Sequence, residues 1–285
     1  MKSSMGAQCF ASVGPMLLLG LSSQAFTAVT PQGPDPIHLP LTFIQSNPVT
    51  TITVGNQTVQ VIVDTGGGAV TLSKEIIDSA GGIRLADSQV STSAFGRDVK
   101  HQRFRVPVVT IGSQTFHDMA VLQALDTDGA PIPNGIGRQF LSQYFVVVDY
   151  AGGSITLWPV NAKNAADKNC GSTRIPMQHT EEDQLAVSDF GTQVGGLRLL
   201  WDTGASYSAL PETLAEKLQL ATIVRGNTKF WQAKVFSAAG HDFGPVEFVL
   251  QPLQLPGDFE GMLGRNFFEH HVVCLDYKLR EIRVR

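Results

Sequence analysis

The sequence predicts an all-β protein built as two β-rich lobes of similar plan, with one short helix in each. Three observations carry that expectation. Gly (28 residues) and Pro (15) are frequent, and Val, Thr and Phe recur in short alternating runs, which favours strands and turns over long helices. The second half of the chain can be laid over the first, and an internal repeat decides architecture. A polar stretch, NAKNAADKNCG (161–171), separates the two copies as a linker.

Length and composition fit this plan. The chain has 285 residues, enough for two lobes of ordinary size, and 43% of them are hydrophobic, enough for a core. Charged residues are 16% and the net charge is −4, so there is no basic footprint for nucleic acid or an anionic membrane. The first 25 residues have the layout of an export signal. Lys2 supplies a weak positive start, VGPMLLLGL (13–21) the apolar stretch, and Ser23-Gln24-Ala25 a small-residue cleavage site. The expectation is a mature protein exported to a periplasm or secreted, without membrane contact, because the apolar run is too short to span a bilayer. Cys9 leaves with the signal. The remaining cysteines, Cys170 and Cys274, are either a disulfide of an oxidising compartment or two separate buried residues. TPQGPDPIHLP (30–40) is Pro-rich and extended, and residues 26–38 are either a propeptide or a tether.

Five stations align the lobes, 26–160 and 172–285. Leu39-Pro40-Leu41 matches Ile175-Pro176-Met177. ITVGNQTVQVIVDTG (52–66), a strand, a Gly-Asn turn and a second strand, matches DFGTQVGGLRLLWDTG (189–204). Ser73, as a cap, and Pro211, as a first helical residue, each open a short helix. SAFGRD (93–98) is set against SAAGHD (237–242) as a pair of hairpin tips. GIGRQFLSQYFVVVDYAGGSITLW (135–158) is set against GMLGRNFFEHHVVCLDYKLREIRV (261–284), two strands closing each half, with Gly, Arg, Phe, Val and Asp-Tyr in register. The length difference between the copies is assigned to a hairpin around TIGSQTFHD (110–118) that the second copy lacks.

The chemistry lies in the second station. Asp64 and Asp202 each end an apolar strand, where a lone carboxylate is costly to bury, and each is followed by a Thr-Gly turn. Backbone N–H groups of such a turn can hold a carboxylate, and Gly lets another segment approach. If the lobes associate about a pseudo-twofold axis, the two aspartates meet. Two carboxyls in contact share one proton, so one is a base and the other an acid. Water between them can then be driven onto an amide carbonyl.

These residues resemble the aspartic protease superfamily of pepsins and retropepsins, and most closely its exported bacterial members with retropepsin-like lobes. The carriers are VDTGG and WDTGAS, the later GIG and GMLG, and the two SAxGxD segments where the family has flaps. The resemblance covers nearly all of residues 37–285. It implies two closed β lobes about a pseudo-twofold axis, a single chain acting as its own pseudo-dimer, and an extended polypeptide substrate under a flap. By that resemblance Asp64 and Asp202 are catalytic. Thr65 and Thr203 lock the two turns together, and Gly66 and Gly204 leave room for substrate and water. The flap candidates are Ala94, Phe95 and Gly96 in the first copy and Ala238, Ala239 and Gly240 in the second. No cofactor or metal is implied.

Two departures matter. Gly66-Gly67-Gly68 lacks the side chain that the family carries after the first turn, leaving backbone amides alone to support Asp64. A looser turn is expected to raise the Asp64 pKa and move the optimum to less acid pH. The pepsin flap tyrosine is also missing, with Phe95 the nearest aromatic. Asp149 and Asp276 match each other too, but their Asp-Tyr setting suits structural turns. The alternatives are an intermolecular homodimer of such sites and an exported peptide-binding β protein with a relic protease site.

Overall fold

The computed structural model describes residues 18–19, 35–125, 132–162, 168, 170–180, 185–255 and 258–285. The export-signal and propeptide expectations fall outside these residues, apart from Leu18–Leu19, whose backbone pairs with Thr92 and Ser93, and residues 35–38. Among the described residues no helix is long and apolar enough to cross a membrane.

Among the described residues, three sheets make up the fold. A six-stranded sheet runs in the order Thr173–Pro176, Glu281–Val284, Val273–Asp276, Tyr144–Asp149, Ser154–Pro159, Ile37–Pro40. That order is a palindrome of the repeat, since each half gives three equivalent strands. The pseudo-twofold relation therefore runs between Tyr144–Asp149 and Val273–Asp276, which pair with Val147 opposite Cys274. Cys170 and Cys274 form a disulfide that ties the linker to this sheet. Each half then builds its own sheet.

In the N-terminal half, Asn47–Val54 and Gln57–Asp64 form a hairpin through Gly55 at φ 58°. Alternation puts Val59, Val61 and Val63 in the core on one face. The strand Gly135–Gly137 then lies parallel to the end of Gln57–Asp64. In the C-terminal half, Val187–Thr192 and Gly195–Trp201 form the matching hairpin, and Gly261–Leu263 the matching parallel strand. Asp64 is the last paired residue of its strand, opposite Gly137, and Asp202 directly follows the last pair, Trp201 with Leu263, so each aspartate stands at the end of its sheet.

The helices Lys74–Ser79 and Glu212–Lys217 follow the two turns as expected. Their starts differ from expectation in detail. Ser73 makes no side-chain cap bond, and Pro211 occupies the cap position, not the first helical one. Each lobe also has a second, one-turn helix, Arg138–Leu141 and Arg265–Phe268.

The fourth station was set in the wrong register. In the N-terminal lobe the long hairpin Ile83–Ser93 and Asp98–Ile111 turns at residues 94–97. Its topological counterpart is the short hairpin Thr222–Arg225 and Thr228–Ala233, which turns at Gly226. SAAGHD instead joins Phe236–Ala238 to His241–Asp242, and Phe236–Ser237 pairs with Gly191–Thr192. That is the end of Val187–Thr192 away from Asp202, because Val187 pairs with Leu200 and Thr192 with Gly195. Ala238, Ala239 and Gly240 are therefore no flap. They correspond to the turn after Ile111, and the length difference lies in the flap hairpin itself.

Candidate active site

Asp64 and Asp202 come together at the junction of the lobes. Four hydrogen bonds cross between the turns. Thr65 N–H donates to Thr203 Oγ1 (2.9 Å) and Thr203 N–H to Thr65 Oγ1 (3.0 Å). The hydroxyls donate onward, Thr65 Oγ1 to the Trp201 carbonyl and Thr203 Oγ1 to the Val63 carbonyl, each at 2.7 Å. Each hydroxyl thus donates one bond and accepts one across a wholly buried junction.

Backbone amides hold each carboxylate. Asp64 Oδ1 accepts from Gly66 N–H (2.9 Å) and Gly67 N–H (2.7 Å), and Asp202 Oδ1 from Gly204 N–H (2.9 Å) and Ala205 N–H (3.2 Å). The triple-glycine turn therefore gives Asp64 as full a cradle as the second turn gives Asp202. Space is the tighter limit. A Cβ on Gly67 would come within 2.8 Å of Asp64 Oδ2, and one on Gly204 within 2.4 Å of Asp64 Cγ. The closing Gly137 and Gly264 meet the same kind of constraint against the backbone of Gly68 and Tyr207.

Asp64 and Asp202 are each 1% exposed, and they are neighbours, because the Asp64 carboxyl lies against Gly204, whose N–H donates to Asp202 Oδ1. Asp64 Oδ2 is buried with no protein donor aimed at it. Since a carboxylate can only accept, a bond between the pair requires a proton on one of them. Burial pushes Asp64 up to about 6, against the lowering pull of its hydrogen bonds and of the Arg138 charge. Burial, and then the neighbouring Asp64 charge, hold Asp202 well above the usual carboxylate range. The direction agrees with the sequence expectation, but its cause is burial and not a loose turn.

Two supports were not assigned from sequence. Arg138 is 2% exposed, and its Nη1 donates to the Gly66 carbonyl at 3.1 Å. Tyr150 is buried and donates from its hydroxyl to the Thr203 carbonyl at 2.9 Å. Both sit in the repeated closing segment, where Arg and Asp-Tyr recur, so the register itself was the available signal. Asp149 and Asp276 accept from Gly152 and Leu279 N–H in hairpin turns, as structural residues would. In the first flap Ala94 is buried, Phe95 is half-buried and Gly96 is exposed at φ 72°.

Residues 50–140 match a family model described as aspartyl protease. No curated protein matches the chain. Among solved structures, the aspartic proteinase from Irpex lacteus is similar at 14% identity and a TM-score of 0.62, over 88% of this chain and 97% of that one. The family match over the first Asp-Thr-Gly turn and a fold like that of an aspartic proteinase over most of the chain support the aspartic protease superfamily.

Proposed function

We propose that this chain is an aspartic endopeptidase in which Asp64 and Asp202 of one molecule act as a single acid–base pair on an extended polypeptide. The observation that carries the reading is the reciprocal Thr65–Thr203 lock, which brings one carboxyl from each half together without a second chain. Asp64 is the base. It has the Arg138 charge nearby and the shorter amide contact, from Gly67, so it is the better place for negative charge. Asp202 holds the shared proton. A water between them loses a proton to Asp64 as its oxygen attacks the amide carbon, and the Asp202 proton bonds to the carbonyl oxygen as charge develops there. Collapse of the tetrahedral species expels the amine, which takes a proton from the pair.

Export fits the Cys170–Cys274 disulfide, since such bonds persist in oxidising compartments. Asn substitution tests the function. Asp64→Asn and Asp202→Asn are each expected to lower peptide turnover by a factor on the order of a thousand or more, and the double variant no further, because the pair works as a unit. Either single variant keeping a tenth of the parent rate would remove the pair as the catalyst, and a parent that binds peptide without cleaving it would favour a peptide-binding relic.

A further inference from the structure

The tip of the first flap is held against the C-terminal half. There the Ala94 carbonyl accepts a backbone hydrogen bond from Gln254 N–H at 2.7 Å. Ala94 is buried in an apolar cluster whose other buried members, Leu253 and Phe259 among them, belong to the C-terminal half, and Phe95 packs against the same cluster. Gly96 lies so near Gln254 that a Cβ there would come within 2.0 Å of its Oε1. Both aspartates are 1% exposed.

We propose that residues 251–255 are a clasp that holds the flap closed, so that the chain occludes its own catalytic pair until an extended peptide displaces the Gln254 N–H from Ala94. Gln254 is a positioning residue, acting through the flap. Opening exchanges the Gln254–Ala94 bond for one to water, at the small net cost of one hydrogen bond. An extended peptide beneath the flap offers backbone N–H groups that can take that place; a small solute does not. The clasp thus favours entry of polypeptide segments over other cleft-sized molecules, and peptide binding draws on the open fraction of the protein. Its bearing on substrate rests on the peptidase reading, but the clasp itself is a property of the closed fold.

The test is amide hydrogen exchange across residues 83–111, with KM and kcat on a short peptide alongside. Gln254→Pro removes the N–H, Leu253→Ser weakens the apolar half of the clasp, and Gln254→Ala keeps the N–H as a control. The first two should speed flap exchange roughly fivefold, the worth of one hydrogen bond, and lower KM by a similar factor with kcat little changed. The control should do neither. If Gln254→Pro does not fold, Leu253→Ser carries the test. Unchanged flap exchange in folded variants, or a raised KM, would overturn the clasp. Faster exchange in a chain whose parent form cleaves no peptide would keep the clasp and remove the peptidase reading.

Discussion

The turn that carries Asp64 and the turn that carries Asp202 have the same backbone and different surroundings. Each carboxylate accepts from the second and third amides after it. Arg138 N–H donates to the Gly67 carbonyl as Arg265 N–H donates to the Ala205 carbonyl, both at 2.9 Å. The side chains then diverge. Arg138 turns inward and is buried beneath the first turn. Arg265 turns outward, bonding Glu269 at 2.6 Å and lying over the Phe43 ring at 4.2 Å. The second turn has Ala205 in the cluster that grips the flap, whereas the first has only glycine. Duplication has kept the cradle that holds a charge and changed the features that decide which carboxyl is charged.

Substitutions that crowd or unlock the pair should have the largest effects. Gly204→Ala puts a methyl where Asp64 now sits, and turnover should fall at least about a hundredfold with a loss of stability of about 2 kcal/mol or more. Steady-state kinetics and chemical denaturation would check both. Thr65→Val and Thr203→Val each leave a buried amide and a buried carbonyl without partners, for a cost of about 2–4 kcal/mol each. The double variant should cost less than the sum, because the two form one network. Near-additive denaturation energies would mean the turns are held by something else.

The next comparison separates the turns. Gly67→Ala should reduce turnover severalfold by pressing on Asp64 Oδ2, while Ala205→Gly should cost about 1 kcal/mol of stability with little effect on chemistry. Equal kinetic effects would erase the difference between the two sites. The smallest expected effect is on pH dependence of stability. Folded Asp64 and Asp202 bind a proton more tightly than an unfolded carboxyl does, so their presence favours the folded state least at high pH. The melting temperature should fall as pH rises from the ordinary aspartate pKa of 3.8 through about 6. Asp202→Asn should flatten that slope and melt higher than the parent at neutral pH, and calorimetry would show whether it does.

The repeated Asp-Thr-Gly turns were legible because each is a local pattern, an apolar strand into a turn, found twice. The strands at GIG and GMLG were legible for the same reason, though not their parallel pairing. SAAGHD misled because its letters match SAFGRD while its partners are set by long-range pairing with Gly191–Thr192, which no local spacing reveals. The inward turn of Arg138 and the reach of Tyr150 to Thr203 also depend on the six-stranded sheet closing between the halves. Sequence could name those residues as repeated, but not say which copy faces the carboxyls.

The central claim concerns a single proton, and neutron diffraction from hydrogen–deuterium-exchanged crystals of the ligand-free protein at about pH 7 would see it directly. The account predicts one deuteron between the facing carboxyls, nearer Asp202. Two bare carboxylates, a deuteron on each, or side chains too far apart to share one would contradict it.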